Sequence, residues 1–220
     1  MKAIIGQQSP LLSVSEWVQG EPVNLNQLLG KVVLIEVFQV NCPGCFLYSL
    51  PQAVNLYRKY AEQGLSVLGI ATAFEDFDKN TLANLTALIE EGKVIGETAR
   101  LLTEQGQLTE NRLSFRIPFP VAMDRLNKRQ KEVTQQDISD FIDEQIPNFQ
   151  QLPESHQQKI QQQAKHYLES LDYQAETFIT FNLKGTPSHI LIDKQGILRN
   201  CAFGACPDLE MQIIELLKQT

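Results

Sequence analysis

The sequence predicts an α/β fold in which helices flank a central mixed β-sheet, and two observations carry this prediction. Segments 31–40 and 65–74 have the apolar, β-branched composition of buried strands, and segment 45–64 between them has helical periodicity. Strand, helix and strand in this order form a βαβ unit with parallel strands and a right-handed crossover. Later in the chain, 185–193 and 197–204 flank the turn KQG and predict an antiparallel hairpin.

The other elements follow in chain order. Residues 11–24 contain short extended pieces closed by the turn cluster QGEP, and 25–31 is a helical turn ending in glycine. Residues 78–92 have the spacing of an amphipathic helix, and 93–115 is mixed and partly helical. Residues 119–124 predict a short third strand.

A region of different composition interrupts this pattern. Residues 125–181 are rich in Gln and charge, have helical periodicity and contain Pro147 and Pro153 as breaks, which predicts two or three helices. We interpret them as a helical insertion within one domain, 1–220; its Gln-rich face is either solvated or covers a nearby site. Residues 207–220 form a last helix with proline at its start.

Bulk composition excludes several classes of protein. The chain has 220 residues and is 43% hydrophobic, which is ordinary for a globular protein. A net charge of -7 argues against nucleic acid or an anionic membrane as a partner. No segment approaches the roughly 20 apolar residues of a membrane span, so no membrane insertion is expected. The N-terminus lacks the apolar stretch of a secretory signal, which predicts a cytoplasmic protein, or a periplasmic one if a signal peptide has been removed.

Two of the four cysteines form a C-x-x-C motif in the stretch EVFQVNCPGC. Cys42 follows a buried strand and opens a helix, with Pro43 at the first helical position, so its thiol faces unpaired N–H groups and the positive end of the helix dipole. Such surroundings lower the pKa of a cysteine from about 8.5 to roughly 3.5–7.5, which predicts that Cys42 is the nucleophile. Cys45 lies one helical turn further on the same face and is predicted to be the resolving thiol.

Other uses of the cysteines stay open at this stage. A zinc site needs four ligands, so Cys201 and Cys206, or the histidines His156, His166 and His189, would have to complete it. We predict no metal, because a C-x-x-C between a strand and a helix is typical of redox exchange. The later cysteine pair could be free, form a second disulfide or relay electrons, and His189 is interpreted as a hydrogen-bonded core histidine.

Two stretches resemble the thioredoxin superfamily, and most closely its TlpA/ResA-type and redoxin-type thiol–disulfide oxidoreductases. LNQLLGKVVLIEVFQVNCPGC is similar to the entry of that fold, and GTPSHILIDKQGILRNCAFG is similar to its exit. Both motifs in the right order are more specific than either alone. The resemblance implies a thioredoxin-like fold with an N-terminal β-hairpin extension and the helical insertion, and it implies no bound cofactor.

The resemblance also assigns roles to residues outside the cysteine pair. Pro187 matches the cis-proline that packs against the disulfide, and Thr186 before it offers its backbone to a client peptide as an added strand. Pro43 and Gly44 complete the implied substrate-binding set. Glu36 matches the buried acid that takes the proton of the resolving cysteine.

Two residues depart from the family pattern. Asn41 stands where an aromatic residue usually precedes the first cysteine. Pro51 comes one residue later than the usual helix proline, so we expect a displaced kink or a bulge in the first helical turn.

The sequence therefore predicts a thiol–disulfide oxidoreductase that acts on client proteins carrying disulfides or dithiols. A redox partner, such as a thioredoxin-reductase-like protein or a membrane thiol reductase, would recharge it. One alternative is a peroxiredoxin-like thiol peroxidase, but the residues before Cys42 lack the Pro-x-x-x-Thr-x-x-Cys loop of that family. The other is a non-enzymatic thioredoxin-fold binding module with the insertion as its partner surface.

Overall fold

The structure is a computed structural model that describes residues 2–129 and 132–219. The chain divides into two compact units. The first consists of Met1–Leu126 and Ala175–Thr220, and the second is Asn127–Gln174.

Strands and helices alternate through much of the chain. The strands are β1 (Val14–Gln19), β2 (Val32–Phe38), β3 (Leu65–Ala71), β4 (Leu108–Thr109), β5 (Arg112–Leu113), β6 (Val121–Asp124), β7 (Leu126–Lys128), β8 (Tyr173–Ala175), β9 (Ser188–Ile192) and β10 (Leu198–Phe203). The helices are α1 (Leu50–Tyr60), α2 (Leu82–Glu91), α3 (Gly96–Glu104), α4 (Gln135–Gln145), α5 (Glu154–Ser170), α6 (Glu176–Phe181) and α7 (Leu209–Lys218).

A mixed sheet of six strands, in the order β1-β6-β3-β2-β9-β10, forms the centre of the first unit. β2, β3 and β6 are parallel to one another, as the βαβ prediction requires. β9 runs antiparallel to β2 and pairs with β10 in the predicted hairpin. The predicted fold class, a mixed sheet flanked by helices, is confirmed.

The central strand β2 is buried along its whole length. Its residues alternate between two apolar cores: Leu34 and Phe38 join one with residues of α1 and α7, whereas Ile35 and Val37 join the other on the opposite face. A strand covered on both faces has a continuous apolar sequence, which is the pattern that identified it. Glu36 is the one ionisable residue in this strand.

The helix after the cysteine motif begins with a π-helical turn, Cys45–Ser49, before α1. Pro51 has no N–H to donate to the carbonyl one α-helical turn earlier, and the backbone widens so that the Leu50 N–H donates to the Cys45 carbonyl. The expected bulge is therefore present. The helical segment stops at Gly64, whose φ of 103° suits a left-handed cap, also as predicted.

The N-terminal hairpin was predicted wrongly, because the first segment of the chain contributes one strand. β1 pairs antiparallel with β6 at the edge of the central sheet. The Asn24 side chain accepts from the Leu12 N–H and donates to the Leu12 carbonyl, both at 2.9 Å. It thereby uses the backbone groups that a second hairpin strand would need.

The second unit has an apolar cluster of its own, between α4 and α5. Thr134 and Asp137 form a capping box at the start of α4. The predicted set of two or three helices is found, but α6 lies in the first unit, so the compact unit is shorter than the predicted 125–181. Within the described part of the chain, every helix is too short or too polar to cross a bilayer.

A buried carboxyl group ties the start of α6 to the sheet. Asp124, at the end of β6, is 1% exposed. It accepts hydrogen bonds from the Thr72 hydroxyl at 2.7 Å and from the Thr177 hydroxyl at 2.8 Å. Burial raises the pKa of Asp124 to about 6, although these hydrogen bonds act in the opposite direction.

Asp124 should make stability depend on pH in a defined direction. A carboxyl whose folded-state pKa of about 6 exceeds its unfolded value stabilises the fold below about pH 4, and this contribution is lost as pH rises through 6. The free energy of unfolding of the wild type, minus that of Asp124→Asn, should therefore fall by about 2–3 kcal/mol between pH 4 and pH 7. Urea unfolding measures it, with the exposed Asp78→Asn as the matched control. A difference that is constant or rises with pH would contradict this assignment.

Candidate active site

The fold brings Cys42 and Cys45 together as a disulfide, with their Cα atoms 5.4 Å apart. The turn after β2 places Cys42 at the start of the helical segment, and the Cys45 N–H lies 3.3 Å from the Cys42 sulfur. Cys42 is partly exposed, whereas Cys45 is completely buried. Of the two cysteines, only Cys42 is therefore accessible to another molecule.

The second sequence motif lies beside this disulfide. The Thr186–Pro187 bond is cis, as predicted. The Cys42 sulfur is 3.6 Å from the Thr186 carbonyl oxygen, and a Cβ atom at Gly44 would lie 3.8 Å from the Pro187 ring. Pairing of Val37 with the first residue of β9 fixes this neighbourhood. Gly44, Thr186 and Pro187, which were predicted to contact a client, thus lie beside the accessible Cys42, and Pro43 follows Cys42 in the chain.

Glu36 forms a buried pair with His189. The two residues lie opposite each other in the β2–β9 ladder and are 0% and 1% exposed. Glu36 Oε2 is 2.7 Å from His189 Nδ1, and His189 Nε2 is 3.1 Å from the Gly204 carbonyl oxygen. Burial alone would lower the pKa of His189, but the hydrogen bond and charge of Glu36, with the Gly204 carbonyl, outweigh it and raise the pKa.

The pair lies on the side of the sheet that carries the cysteines. Glu36 shares a strand face with Phe38, because side chains two residues apart point the same way. The Phe38 ring packs edge-on against Phe46, which follows Cys45 directly. Likewise His189 shares a strand face with Leu191, which belongs to the same core as Cys45, so both members of the pair lie on the cysteine side of the sheet.

Asn41 organises the loops around Cys42. Its backbone N–H donates to Asn80, its side-chain amide donates to Asp76 at 2.6 Å, and its side-chain oxygen accepts the Glu97 N–H at 2.7 Å. A side chain at Gly96 would collide with this oxygen, and the φ of 55° there also favours glycine. Asn41 thus joins the loop after β3 and the start of α3 to the motif.

The other two cysteines are free. Cys201 belongs to the core on one face of the sheet and Cys206 to the core on the other, which rules out the second disulfide that the sequence left open. Burial raises the pKa of each thiol to about 11, so both are protonated and weakly reactive at neutral pH. Among the residues that the structure describes, no group of three or more His, Cys, Asp and Glu could hold a metal.

Two features of the site were missed in the sequence. In the sequence, Asn41 is notable only because it replaces an aromatic residue. Its hydrogen bonds to two loops involve residues that are distant in the chain, so the local sequence does not predict them. The contact between Glu36 and His189 had a signal, since each is the one ionisable residue within an apolar strand. Predicting the contact from this signal requires the register between β2 and β9, which the sequence alone does not give.

Comparison with solved structures places this site in a known fold. A thioredoxin-like superfamily protein is 25% identical and superposes with a TM-score of 0.59 over 97% of each chain. A thiol-disulfide isomerase from Corynebacterium glutamicum is 28% identical, with a TM-score of 0.58 over 96% of this chain and 98% of that one. The predicted resemblance is confirmed, and the chain has a thioredoxin-like fold.

Curated proteins match shorter parts of the chain. Protein DipZ of Mycobacterium tuberculosis is 32% identical over 77 residues, which is 34% of this chain and 11% of DipZ. Protein FixW of Rhizobium leguminosarum is 25% identical over 126 residues, 55% of this chain and 56% of FixW. No family model matches the chain.

Removing the Asn41 side chain should destabilise the surroundings of Cys42. Asn41→Ala leaves the Glu97 N–H and the Asp76 carboxylate without this partner, at a cost of about 1–3 kcal/mol in the free energy of unfolding. The exposed Asn55→Ala on α1 is the matched control and should change stability by less than about 0.5 kcal/mol. Urea unfolding compares the two, and equal effects would mean that the Asn41 contacts contribute nothing.

Proposed function

We propose that this thioredoxin-like chain is a thiol–disulfide oxidoreductase that exchanges a dithiol for a disulfide with client proteins. One observation supports it above the others: Cys42 and Cys45 form a disulfide in which only Cys42 is accessible, beside the Thr186 carbonyl. The similarity to a thiol-disulfide isomerase over nearly the whole of both chains points to the same chemistry.

Attack begins at Cys42 of the reduced protein. The start of the helical segment and the Cys45 N–H favour the Cys42 thiolate, because both present positive partial charge to the sulfur. The thiolate attacks one sulfur of a client disulfide, so that a Cys42–client bond forms and the other client sulfur leaves with the electron pair. A client segment in extended conformation would pair with the backbone of Thr186 during this step.

Resolution then requires the buried thiol. Cys45 loses its proton and attacks the Cys42 sulfur, which forms the Cys42–Cys45 disulfide and releases the second client sulfur as a thiolate. The protein is oxidised by two electrons and the client disulfide is reduced to two thiols. We assign the role of proton acceptor to Glu36, which is buried on the same side of the sheet.

The partners follow from this chemistry. The clients are proteins that carry disulfides or dithiols, and the disulfide formed at each turnover needs a second redox protein to reverse it. A reductase of the thioredoxin-reductase or membrane thiol type would fill this role when the chain works as a reductant. With an oxidising partner, the same steps run in reverse.

Cysteine variants should separate the two thiol roles. Cys42→Ser should abolish reduction of insulin by dithiothreitol-charged protein, whereas Cys45→Ser should still attack and accumulate a mixed disulfide that mass spectrometry detects. Cys201→Ser is the matched control, because that thiol lies in the core on the opposite face of the sheet.

Three results would contradict the proposal. Full insulin reduction by Cys42→Ser would exclude Cys42 as the nucleophile. An inactive wild type would favour a binding module. Rapid consumption of hydrogen peroxide with a thiol donor, without insulin reduction, would favour a peroxidase.

A further inference from the structure

We propose that His189 is a positioning residue for the resolution step: it shares one proton with Glu36 and keeps a Glu36 oxygen available to accept the proton of Cys45. The inference rests on the proposed function, because it concerns the same exchange reaction. It adds a residue that neither the sequence motifs nor the proposed steps require.

The hydrogen-bond partners determine where the protons are. The Gly204 carbonyl can only accept, so His189 Nε2 carries a proton and donates it at 3.1 Å. Nδ1 and Glu36 Oε2 are 2.7 Å apart, and two acceptors would repel at that distance, so one proton lies between them. We place this proton on the imidazole, because the hydrogen bond and the charge of Glu36 raise the pKa of His189.

The pair therefore consists of a carboxylate and an imidazolium with no net charge. Glu36 and His189 lie directly opposite each other on paired central strands, so the sheet fixes their relative positions. A carboxylate buried alone would be strongly disfavoured, because low-dielectric surroundings penalise the charged form. His189 supplies the compensating charge for a carboxylate at this buried position.

The second oxygen of Glu36 is the unusual feature. Among the described residues, Oε1 is the one buried side-chain oxygen or nitrogen atom without a hydrogen-bond partner. Buried polar groups are nearly always bonded, so an open acceptor on the cysteine side of the sheet calls for an explanation. Acceptance of a proton from Cys45 provides one.

The proposed step balances in atoms and charge. The Cys45 S–H bond breaks and its proton moves to Glu36 Oε1, while the Nδ1 proton stays on His189. The resulting thiolate carries one negative charge and the pair one positive charge, so the interior stays neutral throughout. Attack of the thiolate on the Cys42–client disulfide then proceeds as described above.

Two other titratable groups in this core have hydrogen-bond partners elsewhere. Cys206 donates to Asp208 at 3.4 Å, and the Tyr60 hydroxyl donates to Glu210 at 2.7 Å. The Tyr57 ring packs edge-on against another aromatic ring. Cys45 belongs to this core and is completely buried, and it is the proton donor that we assign to Glu36.

Mixing reduced protein with a symmetrical aromatic disulfide in a stopped-flow instrument tests the proposal. The coloured aromatic thiolate is released once by Cys42 attack and a second time by Cys45 resolution, so the two rates are separate. We expect His189→Gln to keep the first rate and to slow the second roughly tenfold or more at pH 7. The loss should be recovered at alkaline pH, where hydroxide can take the Cys45 proton in place of Glu36.

Glu36→Gln is the matched variant, because it removes the acceptor that His189 is proposed to serve. In the Glu36→Gln background, His189→Gln should cause no further change in the pH profile of the second rate. A wild-type profile for His189→Gln, or an equal additional effect in that background, would overturn the proposal. Absence of any second release from the wild type would instead count against the proposed function itself.

A measurement on the unaltered protein covers the case in which the His189 variant does not fold. Nitrogen-15 NMR of the reduced wild type should show both ring nitrogens of His189 protonated at neutral pH. An unprotonated Nδ1 would place the shared proton on Glu36, leave no carboxylate to accept from Cys45, and overturn the proposal.

Discussion

Pairing of β2 with β3 on one side and β9 on the other is the constraint on which the candidate site depends. β2 pairs in parallel with β3, and after β2 the chain turns into the helical segment at Cys42. The antiparallel pairing of β2 with β9 brings Thr186 and Pro187 beside Cys42. The same register places Glu36 opposite His189. A shift of one residue between β2 and β9 would point their side chains to opposite faces and separate all of these groups.

The interior polar groups fall into two kinds. Asp124 is buried, but donors from Thr72 and Thr177 satisfy both of its oxygens, as is usual for a buried polar group with a structural role. Glu36 is equally buried, yet one oxygen is bonded and the other is open. A fold that needed only a polar crosslink between β2 and β9 would satisfy both oxygens, which is why we connect the open one with proton transfer.

Much of the fold could be predicted from local sequence. The strands β2 and β3 are buried on both faces, so their composition alone identifies them. Pro51 predicted the widened turn. The cis bond before Pro187 and the closeness of the two motifs came from the resemblance to a family. No local pattern in this chain would have provided them.

The features that escaped prediction depend on long-range contacts. The Asn24 side chain replaces a strand ladder at the N-terminus, and Asn41 joins loops that are distant in sequence. The pairing of Glu36 with His189 joins residues on strands that are consecutive in the sheet but far apart in the chain. Such contacts follow from the register of the sheet, which hydrophobic periodicity does not determine.

The central claim is that Cys42 and Cys45 form a reversible two-electron couple. Equilibrating the protein across a series of dithiol buffers, then alkylating it and counting modified thiols by mass spectrometry, tests this most directly. We expect one transition in which both thiols disappear together, with the same midpoint when Cys201 and Cys206 are replaced by serine. A transition that survives loss of Cys42, or no reversible transition at all, would contradict it.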